Sequence, residues 1–276
     1  MLSDAALAPA LLTAAAGVVA GALGAMLGIG GGAFLVPVLV QGLGVPMPQA
    51  VAVSLATVIA TSNAVSASPS GHETINLRFG FLLELATVVG GLLGSLTAVF
   101  VPVRALMITF SAVMTTMSVL TFLRRDHRNN LPASADLGPW GARFLDDATG
   151  ETVAYRVTRL PLAVGTSFVA GNLATLLGIG GAVVKVPILN GWCGLPLRVA
   201  SSTSAFMVGV TATSGALVYF GRGLLLPALA ASAVIGVRAG SAFGLRFGQR
   251  QAPRRLKTLL AAVLLVVAAA MVWRLP

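Results

Sequence analysis

Ten apolar segments follow one another along the chain, separated by charges, prolines and glycines. In the first half they run over roughly 9–27, 33–42, 49–67, 80–101 and 105–123; in the second, over roughly 160–177, 182–191, 198–219, 224–244 and 256–275. Eight of them approach the roughly 20 apolar residues that a helix needs to cross a hydrocarbon core. The second and seventh span only about ten residues, roughly 15 Å of helix or half a bilayer. A polar stretch, Arg124 to Arg159, lies between the two sets. The pattern predicts an all-α integral membrane protein in three parts: a first transmembrane repeat over 1–123, a cytoplasmic connecting loop over 124–159, and a second transmembrane repeat over 160–276.

Composition strengthens this reading. Hydrophobic residues make up 57% of the 276, charged residues 9%, and the mean hydropathy is +0.92. A soluble chain of this size carries about a quarter charged residues to cover its surface. The net charge of +10 is read as positive-inside loops facing anionic lipid, not as a nucleic-acid surface. The single cysteine, Cys193, excludes an intramolecular disulfide and a multi-cysteine metal site. Met1 to Pro9 carries Asp4 and no Lys or Arg, so a basic n-region is missing and the first apolar run is expected to stay in the mature protein.

The two halves repeat one another. Val19-Ala20-Gly21 and Leu27-Gly28-Ile29-Gly30-Gly31 recur as Val169-Ala170-Gly171 and Leu177-Gly178-Ile179-Gly180-Gly181, an offset of 150 that also aligns Pro37 with Pro187, Pro46 with Pro196 and Ser54 with Ser204. Between 19 and 39, 12 of 21 positions match. Further on, Gly90 and Gly94 echo Gly236 and Gly240 at an offset of 146, which predicts a loop four residues shorter in the second copy.

Charge sets the expected orientation. With five passages per half the copies are inverted, and the central stretch shares a side with the loops near 67–80, 190–198 and 244–257. That side collects Arg78, Arg124, Arg125, Arg128, Arg143, Arg156, Arg159, Arg198, Arg246, Arg250, Arg254, Arg255 and Lys257, against Arg104, Arg222 and Arg274 opposite. Thirteen against three satisfies the positive-inside rule; four passages per half would leave nine against seven. The expectation is two inverted-topology repeats of five segments, each short segment either a passage of its own or a re-entrant hairpin with its predecessor, both termini outside and the central loop cytoplasmic.

Candidate chemistry gathers at the glycine breaks. Gly28, Gly30, Gly31 and Gly32 in one half and Gly178, Gly180 and Gly181 in the other are poor helix, at about 1 kcal/mol per Gly relative to Ala. Unwound backbone inside a membrane survives where it is buried in protein or lines a cavity, and paired breaks in repeated halves point to a transporter's midplane site. Helix N-termini beginning near Ala33 or Val183 would turn a positive end toward an anion. Close helix packing through small residues is the competing reading.

Lys185 follows the second break by four residues where the first half has Leu35. A charge at that depth should face a cavity or a partner, or else snorkel to an interface. Arg238 and Glu84 are the other charges inside apolar runs. They could pair with each other, or Arg238 could contact substrate and Glu84 carry a proton. Ser54 and Ser204 stand out among the hydroxyls by their matched positions. His72, beside Glu73, reads as a solvated loop histidine, and neither it nor His127 has the companions of a metal site. No Ser/His/Asp set, Walker loop or dinucleotide fingerprint is present. No metal, no cofactor and no enzymatic activity are expected.

With the paired Gly28-Ile29-Gly30-Gly31-Gly32…Pro37 and Gly178-Ile179-Gly180-Gly181…Pro187 motifs, the chain resembles the TauE/SafE family of sulfite and organosulfonate exporters over essentially its whole length. The resemblance implies a secondary carrier in a bacterial inner membrane, exporting sulfite or an organosulfonate such as sulfoacetate by alternating access. Its partners would be that small anion and membrane lipid, without nucleic acid; a homo-oligomer is left open. Ala182 and Lys185 depart from the internal repeat, so the second half is expected to supply the cation. Outward movement of an anion gains about 2.3 kcal/mol per charge per 100 mV. A proton-coupled importer or a broader organic-anion carrier is the alternative, with Glu84 as its relay.

Overall fold

The computed structural model describes residues 4–68, 74–123, 131, 136–146, 151–249 and 253–273. Of the positions used above, Arg124, Arg125, Arg128, Arg250, Arg274, His72, Glu73 and His127 lie outside the described residues.

The ten apolar segments are ten helices among the described residues. The first half holds α1 (Asp4–Leu27), α2 (Gly32–Pro37, widened into a π turn over Val38–Gly42), α3 (Met47–Ser66), α4 (Leu77–Thr97, tightened into a 3-10 turn over Ala98–Phe100) and α5 (Val103–Leu123). The second holds α6 (Leu160–Leu177), α7 (Ala182–Gly191), α8 (Leu197–Gly221), α9 (Pro227–Gln249) and α10 (Pro253–Trp273). Among the described residues, seven of these, α1, α3, α4, α5, α6, α8 and α9, are long and apolar enough to span a membrane. Within α10, the apolar helix among the described residues covers Thr258–Met271. Proline opens the helices after each short segment: Pro46 and Pro196 are the N-caps of α3 and α8.

The outer surface is apolar. Leu85, Phe122 and Ile235 are each at least 70% exposed, as befits side chains whose solvent is lipid, while hydroxyls such as Thr57, Thr61, Thr203 and Thr211 are buried between helices. This is a multi-pass, all-α membrane protein.

Helix contacts keep their form when the halves are exchanged. α1 packs on α9 as α6 packs on α4; α3 touches α9 as α8 touches α4; α2 meets α10 as α7 meets α5; and α3·α8 and α5·α10 are the pairs that map onto themselves. The register is 150 throughout. Helices starting at Met47, Leu77 and Val103 have counterparts starting at Leu197, Pro227 and Pro253. Gly240 approaches the Val18 carbonyl as Gly90 approaches that of Phe168, and Gly244 lies on Ala22 as Gly94 lies on Asn172. The offset of 146 expected from the sequence is therefore wrong by one helical turn. Gly236, Gly240, Gly244 and Gly248 recur every four residues, so a slip of one turn preserves the apparent match.

The central connection is not featureless. Strands β1 (Ala142–Asp146) and β2 (Glu151–Tyr155) form an antiparallel hairpin, with Ala142 opposite Tyr155 and Phe144 opposite Val153. Its Phe144 and Tyr155 are buried in one cluster with Phe79, Leu83, Leu189, Cys193 and Leu195. Asn76 joins the hairpin to α4: its Oδ1 accepts from the Phe79 N–H as a helix cap, while its Nδ2 donates to the Tyr155 hydroxyl (2.9 Å) and the Trp140 carbonyl (2.8 Å).

Candidate functional site

Each break is a helix C-terminus that glycine stops. Gly28 and Gly178 take left-handed backbone (φ +66° and +70°), which L side chains resist. The next amide, Ile29 or Ile179, donates back to the carbonyl of Gly24 or Ala174, closing the last turn as a glycine C-cap does. A second left-handed glycine, Gly30 or Gly180, then folds the chain back on the helix just completed. Gly31 lies against Ala20, and Gly181 against Ala170 and Ala174. The short helices α2 and α7 follow.

The two breaks meet. Gly30 and Gly180 both face Val58 of α3 and Val208 of α8, themselves counterparts at the offset of 150. Gly32 abuts the Gly178 carbonyl and the Ser54 side chain. Ser54 Oγ donates to the Gly178 carbonyl (2.6 Å), and Ser201 Oγ donates to the Leu27 carbonyl (2.9 Å). Every residue from Gly28 to Gly32 and from Gly178 to Gly181 is buried. The glycines singled out in the sequence thus form one centre at the α3/α8 crossing. The Ile29 and Ile179 amides are consumed by the caps, so these two N–H groups are not free for a ligand.

Lys185 stands one turn into α7 and is 1% exposed. Its Nζ lies 3.7 Å from Glu84 Oε2 on α4, and Thr211 Oγ1 on α8 donates to Glu84 Oε1 at 2.6 Å. Thr211 is three residues beyond Val208, so this cluster sits about one helical turn from the place where the breaks meet. Beyond the ion pair, neither Lys185 Nζ nor Glu84 Oε2 has a hydrogen-bond partner among the described residues. Removing one member of a buried pair costs about 3–5 kcal/mol, while an ammonium with unmet donors is ready to take an anion. The counterparts of Lys185 and Glu84 at an offset of 150 are Leu35 and Val234. The charge is thus confined to one of two equivalent places, with the cation from the second half and the acid from the first.

Two candidates make no hydrogen bond to this centre among the described residues. Arg238 is exposed on the outer face of α9, and Glu84, offered as its partner, is held by Lys185 instead. Ser204 is fully buried with an Oγ that has no hydrogen-bond partner; Ser201 fastens the first break in its place. Ser201 left no mark in the repeat, since its counterpart is Val51. Thr211 did leave one, since Thr61 is its counterpart.

Comparison with known proteins accords with this architecture. The sequence model of the family described as "Sulfite exporter TauE/SafE" matches residues 13–271. A curated relative, "Probable membrane transporter protein YunE" of Bacillus subtilis (strain 168), is 23% identical over 264 residues, 93% of this chain and 95% of that protein. No solved structure matches.

Proposed function

The chain belongs to the sulfite exporter TauE/SafE family, and from that premise we propose that it is a secondary transporter exporting a small sulfur-containing anion, sulfite or an organosulfonate such as sulfoacetate, by alternating access. The observation that carries the reading is the fully buried Lys185 ammonium beside the converging breaks, with donors that only an ion pair at 3.7 Å addresses. An oxyanion would supply the acceptors that this group lacks. Ser54 and the glycine backbone would shape the space around it.

The packing supports two five-helix repeats over 1–123 and 160–276, since its contacts survive exchange of the halves. Inverted topology, a cytoplasmic 124–159 connection, external termini and a bacterial inner-membrane location complete the proposal, motivated by the thirteen-to-three division of basic residues. Rocking of one half against the other would expose the centre alternately to the two sides.

A thermal-shift screen of the purified protein with sulfite, sulfoacetate, taurine, thiosulfate and sulfate tests the reading, followed by flux in proteoliposomes. Stabilisation by at least one sulfur anion is expected, with its loss in Lys185→Ala. Unchanged binding and flux in Lys185→Ala would remove the assignment of this residue; no response to any anion would remove the function.

A further inference from the structure

We propose that Glu84 carries one proton with each monovalent anion, making transport electroneutral. The inference rests on Lys185 as the anion's contact and goes beyond it to the coupling ion. Lys185 and Glu84 are the buried charged side chains among the described residues, so the empty site sums to zero charge. An anion entering alone would leave one uncompensated negative charge in a low-dielectric interior, which strongly disfavours it. It would also compete with Glu84 for the same ammonium. One proton on Glu84 removes both obstacles: the loaded site again sums to zero, and the Lys185 donors turn to the anion.

The geometry provides for that proton. Thr211 occupies Oε1 at 2.6 Å and holds the carboxyl in place, whereas Oε2 has no hydrogen-bond partner and faces Lys185. A proton on Oε2 gives a donor directed to where the anion must lie. The proton count does not depend on how the empty pair shares its own proton, since an ionised pair and a neutral pair hold one each and the loaded site holds two. Of the other titratable groups near α4 among the described residues, Tyr155 of β2 and Cys193 share the apolar cluster of Phe79 and Leu83, and the Tyr155 hydroxyl accepts from Asn76 at the start of the helix. α6 has none; Arg198 and Tyr219 of α8 lie 13 and eight residues from Thr211, and Arg222 donates to the Ser95 and Leu96 carbonyls at the far end.

Coupling follows from the same sum. Empty and fully loaded carriers are both neutral and can rearrange; a carrier holding only the anion or only the extra proton is charged and held back. The pair also bridges the two halves, because α4 belongs to the first and α7 to the second. Voltage, invoked from the sequence as a drive, then drops out, and export runs down the anion's own gradient against or with that of the proton.

Sulfonates stay ionised at all physiological pH values, so a proton moving with one must ride on the protein. Proteoliposomes enclosing a pH dye are given inward gradients of methanesulfonate, isethionate or sulfoacetate. For methanesulfonate the wild type should acidify the lumen by one proton per anion, at a rate that an imposed potassium diffusion potential leaves unchanged. Its Kd should rise about tenfold per pH unit, the slope for uptake of one proton. Glu84→Gln should bind with no such slope, move no protons and respond to voltage. Wild-type flux that is voltage-driven without acidification, or acidification that persists in Glu84→Gln, overturns the inference while leaving the transporter standing. If none of the three anions enters wild-type vesicles, the organosulfonate reading falls, and the inference with it.

Discussion

At the scale of single residues, two serines in matched positions have different work. Ser54 Oγ donates to the Gly178 carbonyl, while the equally buried Ser204 Oγ has no hydrogen-bond partner. Ser54→Ala should therefore cost about 1 kcal/mol, the net value of one hydrogen bond, and somewhat more if the carbonyl stays unmet. Ser204→Ala removes no bond and should be neutral or slightly stabilising. Thermal unfolding of both variants in one detergent decides the point, and equal losses would contradict the asymmetry. Arg238 and Lys185 form a second contrast. Arg238→Leu should retain anion-induced stabilisation and flux, whereas Lys185→Ala should lose both. Lys185 could be read from the sequence because a charge in an apolar helix needs a reason, but that rule alone also selected Arg238. Only the packing of α9 shows that Arg238 lies on the outer face. The choice of Glu84's partner was equally invisible, since it depends on α7 and α4 meeting across 101 residues of sequence (185 − 84).

At the scale of helices and strands, close approach through glycine sets the interfaces. Along α1 and α9, Gly236, Gly240 and Gly244 lie on the carbonyls of Ala14, Val18 and Ala22, and Gly17 and Gly21 lie on those of Ala233 and Val237. Gly240→Leu would drive a side chain into the Val18 backbone, with a loss of about 1–3 kcal/mol or more as the helices part. An exposed control such as Gly221→Ala, with nothing within 4 Å, should do little. The hairpin adds a pH-dependent term. Burial pushes the Tyr155 hydroxyl up from 10.0 to about 12, so its stability contribution is complete below pH 10 and is lost as pH rises toward 12. The loss is at most roughly 3 kcal/mol over those two units. The Tm of the wild type should fall over this interval by more than that of Tyr155→Phe. Helix ends were legible because glycine and proline punctuate them. The hairpin was not, since ten strand residues amid charged sequence carry little signal until Phe144 and Tyr155 find the apolar cluster below α4.

At the scale of the whole molecule, the decisive quantity is the number of passages between the central connection and the α8–α9 loop. Ten helices and an exchange-symmetric packing follow from the glycine breaks and their repeat, and the repeat itself was plain in the letters. The sidedness of the halves rests on charge, because similar sequences with an odd or an even number of passages pack through the same residues. If α6, α7 and α8 each count as one passage, the connection and Gly221 lie on opposite sides; if α6 and α7 act as one broken crossing, they lie on the same side. The single cysteine makes this measurable. Cys193 is fully buried and should not react in folded protein, so Asp136→Cys and Gly221→Cys, both at exposed positions, can be labelled one at a time. A membrane-impermeant maleimide added to intact cells should label Gly221→Cys and reach Asp136→Cys only after permeabilisation. Labelling of both from the same side would reduce each half to an even number of passages and make the repeats parallel. The axis relating the converging breaks would then run along the membrane normal instead of lying in its plane, as between parallel repeats.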